Sequence, residues 1–240
     1  MKKAYVIGKN VSKSLSPAIF NYWFKKYNIE GEYEFKEISE SDFNNIIPSI
    51  LKEKDLCGLN ITIPFKEKII KYLDIIDNTA KKIGSVNTIK IKNQKLIGYN
   101  TDTSGFEQSI IKLIKNRKSA LILGCGGSSK AVQYALKKNN INTTIISRKN
   151  EKNYNNLIKE DIINNLIIIN TTPLGMYPNI ETCPEIPYEY LSHKHLVYDL
   201  VYNPKKTLFL KKAEKHNCQI TNGFEMLKNQ ANEAWKIWQE

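Results

Sequence analysis

No stretch of this sequence approaches the roughly 18 consecutive apolar residues that a membrane-spanning helix needs. The opening MKKAYVIGKNVSKS turns polar too soon for a secretory signal. Both features point to a soluble protein of the cytoplasm. Cysteine is sparse: Cys57, Cys125, Cys183 and Cys218 stand far apart with no C-x-x-C pair. That spacing argues against zinc or a disulfide framework and fits a reducing compartment. Histidine is sparser still, with His193 and His195 at the start of an apolar run and His216 alone, so neither a metal centre nor a histidine general base is expected. Acidic residues are short relative to basic ones, 24 against 36, for a formal charge of +12. The lysines are spread through every segment, so the surplus favours small anions over a nucleic-acid groove. Neither nucleic acid nor a membrane is expected as a partner, and the chain is expected to act on a small molecule as a monomer or homodimer.

What is present is an alternation. Over 240 residues, apolar runs of strand length alternate with stretches of helical period. AYVIG (4–8), YEFKEI (33–38), LCGLNITI (56–63), SALILG (119–124), NTTIIS (142–147), NLIIIN (165–170), HLVYDLVY (195–202) and CQIT (218–221) read as strands. PAIFNYWFKKYN, DFNNIIPSILKEK, KEKIIKYLD, SGFEQSIIKLIKN, SSKAVQYALKKN and TLFLKKAEKHN read as helices. Strand and helix in turn imply an α/β fold of parallel sheets with helices on both faces. Between the two sets, residues 85–102 read as two short extended segments around KNQK. A change of sheet near residue 102 divides the chain into 1–101 and 102–222, with 223–240 as a final helix, and ligands commonly bind in a cleft between domains.

SALILGCGGSSKAVQYAL is a strand, a glycine-rich turn and a helix in succession. Gly124, Gly126 and Gly127, with Cys125 between them, allow a tight turn and close approach of a pyrophosphate, which the N–H groups at the helix start would hold. Ser128 follows, and Ser129 stands where a third glycine is usual, small enough for close helix packing. The next strand ends in Ser147, Arg148 and Lys149 with no acid at its tip. An acid there would take a ribose 2′-hydroxyl, whereas an arginine suits a 2′-phosphate, which points to NADP. Glu151 is the one nearby acid that opposes this reading.

Three further groups carry hydroxyls, amides and charges at strand ends: SLSP (14–17), NITIPFK (60–66), and VNT (86–88) with NTD (100–102). Each has a structural use on its own. Ser14 or Ser16 could cap the helix opened by Pro17, Asn87 could be a turn residue, and Asp102 could be an N-cap beside the capping box of Ser104 and Glu107. Asn60 and Thr62 share a strand face at period two, so both side chains can meet one ligand, with Lys66 just beyond Pro64 and Phe65.

Taken together and in order, these groups resemble the shikimate dehydrogenase family along the whole chain. The matching stretches are SLSP, NITIPFK, GSVNT (84–88), GYNTD (98–102), GCGGSSKA (124–131), NTTPLGM (170–176), DLVYNP (199–204) and GFEML with Gln230 and Ala231 (223–231). The resemblance implies an N-terminal open α/β substrate domain, a C-terminal Rossmann-like NADP-binding domain, and a last helix from about Gly223 that packs back onto the first. It implies Ser14 and Ser16 on a substrate carboxylate with Tyr202 nearby; Asn60, Thr62, Asn87, Asp102 and Gln230 on ring hydroxyls; and Lys66 with Asp102 as the catalytic pair. For NADP(H) it implies residues 124–129 on the pyrophosphate, 147–149 on the adenosine phosphate, and Thr171, Leu200 and Gly223 along the ribose and nicotinamide. The sequence departs from the family's usual pattern at Ser147-Arg148-Lys149, where Asn-Arg-Thr is common, at Asn78, where an acid is common, and in its short second half between Ser147 and Asn170.

The implied activity is reversible, NADPH-dependent reduction of 3-dehydroshikimate to shikimate, a step of aromatic amino-acid biosynthesis. Reducing a ring ketone needs a hydride on the carbonyl and a proton for the developing alkoxide. A free lysine holds its proton too firmly for this at neutral pH, so the reading requires partial burial and a helix start at Lys66 to disfavour the ammonium, while an ionised Asp102 close by opposes that shift and makes the two a coupled pair. Two alternatives share most of these motifs: a quinate/shikimate dehydrogenase of broader range, which Arg148 opposes in its NAD-dependent forms, and a non-catalytic ligand-binding protein on the same scaffold.

Overall fold

The computed structural model describes residues 1–148 and 150–240. Its first half runs β1 (Lys2–Gly8), α1 (Ser16–Lys26), β2 (Gly31–Glu37), α2 (Phe43–Ile50), β3 (Leu56–Ile61), β4 (Ile75–Ile76), α3 (Asn78–Ile83), β5 (Thr88–Lys92) and β6 (Lys95–Tyr99). After α4 (Asp102–Ile114) come β7 (Ser119–Leu123), α5 (Gly127–Lys138), β8 (Asn142–Ile146), α6 (Lys159–Ile163), β9 (Ile167–Asn170), β10 (Leu196–Asp199), α7 (Leu208–Glu214), β11 (Gln219–Asn222) and α8 (Phe224–Gln239). The chain forms two compact units, Met1–Asp102 with Gln230–Glu240, and Thr103–Asn229. No helix among the described residues is long and apolar enough to cross a membrane.

The first unit carries a six-stranded sheet in the order β2-β1-β3-β5-β6-β4. Strand side chains alternate between faces, and β1 divides its residues accordingly. Tyr5 and Ile7 enter one core with Phe43 and Ile47 of α2, while Ala4 and Val6 enter another with Phe20 and Phe24 of α1. The second core also takes Ala231, Ala234 and Trp235 from the end of α8. Phe20 stacks on Tyr33 at 4.4 Å and meets Trp238 at 4.9 Å, and Trp23 lies 5.6 Å from Trp235.

This sheet is mixed, which corrects the expectation of purely parallel pairing. β5 runs antiparallel to both β3 and β6. Asn93 and Gln94 both have positive φ, the two-residue turn that joins antiparallel neighbours and cannot join parallel ones. The stretch KEKIIKYLD is also not an α-helix: only a five-residue 3-10 turn forms, Lys68–Tyr72, before the chain extends at Leu73 toward β4.

The second unit has a five-stranded, all-parallel sheet in the order β11-β10-β9-β7-β8. The same alternation buries Ala120 and Ile122 on one face and Leu121 and Leu123 on the other, so helices cover both sides. The run 195–202 is strand only through Asp199, because the Asp199 carboxylate takes the Val201 N–H and turns the chain. Residues 223–229, expected with the first unit, cluster with the second: Gly223 rests on the backbone of Leu200, and Met226 lies in the core of Phe106 and Tyr198. Asp102 itself falls in the first unit.

Candidate active site

In the first unit the strand ends bring distant polar residues to one place. The Lys66 ammonium meets Asp102 Oδ2 at 2.5 Å, and both residues are almost out of water, 8% and 5% exposed. A buried ion pair repays the loss of hydration only if its remaining groups are also bonded. Here Asn87 Nδ2 donates to the other carboxylate oxygen, Asp102 Oδ1, at 2.9 Å, and to Thr101 Oγ1 at 3.0 Å. The Thr101 N–H donates back to Asn87 Oδ1 at 2.7 Å, which fixes the amide's orientation. Gln230, delivered by α8, places Oε1 3.5 Å from Asn87 Nδ2 and 3.4 Å from Thr101 Oγ1. Lys66 follows the turn closed by Phe65 N–H on the Thr62 carbonyl. What comes next is a short 3-10 turn rather than an α-helix, so the helix-dipole contribution expected at Lys66 is absent; its position rests on burial and on Asp102.

Asn60 is buried in the same network. Its Oδ1 accepts from the Tyr33 hydroxyl at 2.8 Å, while Nδ2 donates to Thr88 Oγ1 at 3.1 Å and to the Asn87 carbonyl at 3.3 Å. Thr88 and Thr101 are linked through their hydroxyls at 3.1 Å. Tyr33, Thr88 and Thr101 therefore complete the site, although sequence reasoning did not single them out. Both threonines lie inside the quoted motifs, where only their neighbours had been marked. Tyr33 left no local signal, because its partner is 27 residues away.

Ser14 and Ser16 are set at the start of α1. Ser14 Oγ accepts from the Ser16 N–H at 3.2 Å, which leaves its own O–H to donate. Ser16 is buried, and Thr62 is half-buried on the far side of the Ile61 strand end. Tyr202 is in the second unit, half-buried after β10. Asn78 opens α3 as an exposed residue, behind an Asp77 cap that accepts from Thr79 and Ala80.

In the second unit the functional geometry is mostly backbone. In an open α/β sheet ligands bind where neighbouring strands send their connections in opposite directions, here between β7 and β9. The glycine turn follows β7 and Thr171 follows β9. Gly124 has φ +113°, and an added Cβ would lie 2.6 Å from Thr171 Oγ1, so no other residue fits. Thr171 Oγ1 donates to the Leu123 carbonyl at 2.7 Å. A Cβ at Gly126 would meet nothing within 4 Å, so the chain there is open to a close-fitting group. Gly126 caps α5 without a side-chain bond to its first N–H groups. Gly127, half-buried, is the first residue of that helix, and Cys125 is exposed. Ser129 is buried and donates to the Gly124 carbonyl at 2.7 Å, which joins the helix to the turn in place of a third glycine. These features fit a dinucleotide pyrophosphate: N–H groups at a helix start, a positive helix end, and no side chain in the way.

Past β8, Ser147 is buried and Arg148 exposed, while Lys149 lies outside the described residues. Burial raises the pKa of the Tyr154 hydroxyl, and the charge of nearby Arg148 opposes that rise. Leu200 is half-buried, and Gly223 is buried against it: a Cβ on Gly223 would sit 2.0 Å from the Leu200 carbonyl oxygen. Asp199, wholly buried, accepts from Thr207 Oγ1 at 2.5 Å, Asn170 Nδ2 at 2.9 Å and Val201 N–H at 3.0 Å. Burial nevertheless pushes its carboxyl up to about 7, against the pull of those bonds. Among the described residues no group of His, Cys, Asp and Glu could hold a metal ion.

Comparison with known proteins agrees along the whole chain. The profile of the shikimate dehydrogenase substrate binding domain matches residues 6–89. The shikimate dehydrogenase (NADP(+)) of Methanococcus aeolicus is 42% identical over 97% of this chain and 90% of its own. A crystal structure of a shikimate dehydrogenase in complex with NADP+ superposes with a TM-score of 0.86 at 35% identity, covering 99% of this chain and 90% of the other. The Thermus thermophilus enzyme in complex with NADP(H) and shikimate superposes at 0.87 with 28% identity, over 99% and 93%. With a buried Lys66–Asp102 pair in one unit and a glycine-turn dinucleotide fold in the other, the chain belongs to the shikimate dehydrogenase family.

Proposed function

We propose that this protein catalyses the reversible, NADPH-dependent reduction of 3-dehydroshikimate to shikimate, an oxidoreductase step toward chorismate and the aromatic amino acids. The observation that carries the reading is the buried Lys66–Asp102 pair, braced by Asn87. NADPH, when bound, supplies the hydride. The Lys66 ammonium donates a proton to the ketone oxygen as negative charge develops there, and in the reverse direction Lys66 takes the hydroxyl proton. Asp102 holds Lys66 in place through Oδ2 and is itself oriented by Asn87 through Oδ1.

The ring hydroxyls fall to Asn87, Asp102, Thr62 and Gln230. Asn60 spends both amide hydrogens on the protein and contributes chiefly by holding Asn87 and Thr88. The Ser14 O–H and buried Ser16 suit a carboxylate. For the cofactor, residues 124–129 take the pyrophosphate; Arg148, with Ser147 and Lys149, takes the 2′-phosphate; and Thr171, Leu200 and Gly223 line the ribose and nicotinamide. The four cysteines are free thiols, in keeping with a place in the cytoplasm.

The test is oxidation of NADPH followed by its absorbance with 3-dehydroshikimate as substrate, repeated with NADH and with quinate in the reverse direction. Turnover with NADPH and 3-dehydroshikimate is expected, and folded protein without it would sink the reading. Arg148→Ala is expected to lower the preference for NADPH over NADH by about tenfold or more, the worth of a charge-assisted contact.

A further inference from the structure

Three neighbouring strands of the second unit end in step. Asp199 of β10 is the register partner of Asn170 on β9 and of Asn222 on β11. Each of the three bends the chain the same way, its side-chain oxygen accepting an N–H from two residues on. Asn170 Oδ1 accepts from Thr172 at 3.0 Å, Asp199 Oδ1 from Val201 at 3.0 Å, and Asn222 Oδ1 from Phe224 at 3.1 Å. Such turns present the residue in the middle. Those residues are Thr171, Leu200 and Gly223, the three assigned above to the nicotinamide end.

The row is cross-linked, with Asp199 at its centre. Asn170 Nδ2 donates to Asp199 Oδ1, so the first two turns share one oxygen. Asp199 Oδ2 takes the Thr207 hydroxyl, and Asn222 Nδ2 donates to the Lys205 carbonyl at 2.7 Å. The loop leaving β10 is thus pinned near its far end by both. Asn170 Oδ1 also takes the Thr172 hydroxyl at 2.6 Å. Asp199 touches neither ligand in the assignment above, yet every bond it makes shapes a residue that does or the loop beyond one.

We propose that Asp199 is a positioning residue for hydride transfer: by joining the turns at Thr171 and Leu200 and anchoring the loop to Thr207, it sets the surface on which the nicotinamide half of the cofactor rests. The inference depends on the cofactor assignment made under the proposed function. It predicts an effect confined to one half of the dinucleotide, because the glycine turn and Arg148 belong to other strands, β7 and β8.

The test compares two ligands, NADPH followed by its fluorescence and adenosine 2′,5′-bisphosphate, which lacks the nicotinamide half, followed by calorimetry. Asp199→Ala is expected to weaken NADPH about tenfold or more, the worth of a lost bond to a charged group, while the bisphosphate binds as to wild type. Asp199→Asn keeps an oxygen for Val201 and Asn170 and is expected to recover most of the NADPH affinity. Should Asp199→Ala fail to fold, Thr207→Val removes the bond to Asp199 and leaves the carboxylate, with the N-cap bond from Leu210 to the same hydroxyl lost as well; its expected result is the same selective loss, at smaller size. Equal losses for both ligands, or no loss for either, would overturn the proposal and leave the cofactor assignment standing. Wild-type protein that binds neither ligand would overturn the cofactor assignment, and the proposal with it.

Discussion

In the first unit the groups proposed to meet a ligand are held in a network of side chains bonded to other side chains, from Tyr33 through Asn60, Thr88, Thr101, Asn87 and Asp102 to Lys66. In the second they are largely backbone, an open glycine turn and a row of bent strand ends. The difference follows from what each unit is proposed to handle. A ring with several hydroxyls and one reacting carbonyl needs donors and acceptors of fixed direction and a transferable proton, which only side chains provide. A pyrophosphate needs many N–H groups at close range, which side chains would obstruct. Damage in the first unit should therefore be chemical, and damage in the second conformational.

Removal of the proton donor is the sharpest way to draw that contrast. Lys66→Ala is expected to lower kcat by about 10²–10⁴-fold, the usual worth of general acid–base catalysis, with NADPH affinity unchanged in a direct binding titration. Retention of near wild-type turnover would remove Lys66 from the mechanism.

The next effect concerns charge in the second unit. The Asp199 carboxyl is raised from 3.8 to about 7 on folding, so the folded protein binds this proton more tightly than the unfolded chain does. The resulting stability is complete below about pH 4 and is lost as pH rises through about 7, a change of at most about 4 kcal/mol. Tyr198 and Tyr188, the titratable groups that feel this charge, are both themselves raised by burial. Glu37 in the first unit acts with the opposite sign. The N–H groups of Ser12 and Val11 hold it below the usual carboxylate range, so its contribution is lost as pH falls. Denaturant melts of wild type and Asp199→Asn across pH 4 to 8 isolate this contribution: wild type should lose ground to the variant as pH rises, and parallel curves would refute it.

A purely conformational change comes third. Gly223→Ala would put a methyl group 2.0 Å from the Leu200 carbonyl oxygen, so backbone must move. A loss of about 1–3 kcal/mol is expected in denaturation, with weaker NADPH binding. Unchanged stability would show that the strand ends yield more easily than their packing implies.

The smallest effect sharpens the first unit. Ser85 is wholly buried, and its hydroxyl is one of two buried side-chain polar atoms without a partner among the described residues. Its backbone bonds to Ala80 and Asn100 do not involve that hydroxyl. Ser85→Ala should raise stability by up to about 1 kcal/mol, visible as a higher Tm, and a lower Tm would reveal a bond to the hydroxyl.

How much of this was legible in the sequence depended on distance. The alternation of faces along β1 and β7 and the glycine turn could be read from residue type and order, whereas the pairing of Lys66 with Asp102 came only through the family resemblance. The mixed first sheet was foreshadowed by KNQK but not drawn from it, because a two-residue turn without glycine is a weak signal for reversal. The helix expected after Lys66 is instead a five-residue 3-10 turn, Lys68–Tyr72, a distinction that apolar periodicity does not draw over so short a stretch. Tyr33 and the Asn170–Asp199–Asn222 row were out of reach: both depend on strand register, which brings together residues 27 to 29 positions apart in the first two contacts. Ser129 was anticipated as a small residue, whereas its bond to the turn was not.

The aromatic cluster under the first sheet has a practical consequence. The chain has three tryptophans, Trp23, Trp235 and Trp238, and all three lie in the first unit around Phe20. Excited at the red edge of the indole band, the protein emits from that unit alone. The emission follows the melting of the proposed substrate side without labelling, and the other unit, whose aromatic side chains are tyrosine and phenylalanine, stays dark at that wavelength. Two probes on one sample, indole emission and far-ultraviolet dichroism, therefore reveal whether the two units unfold together.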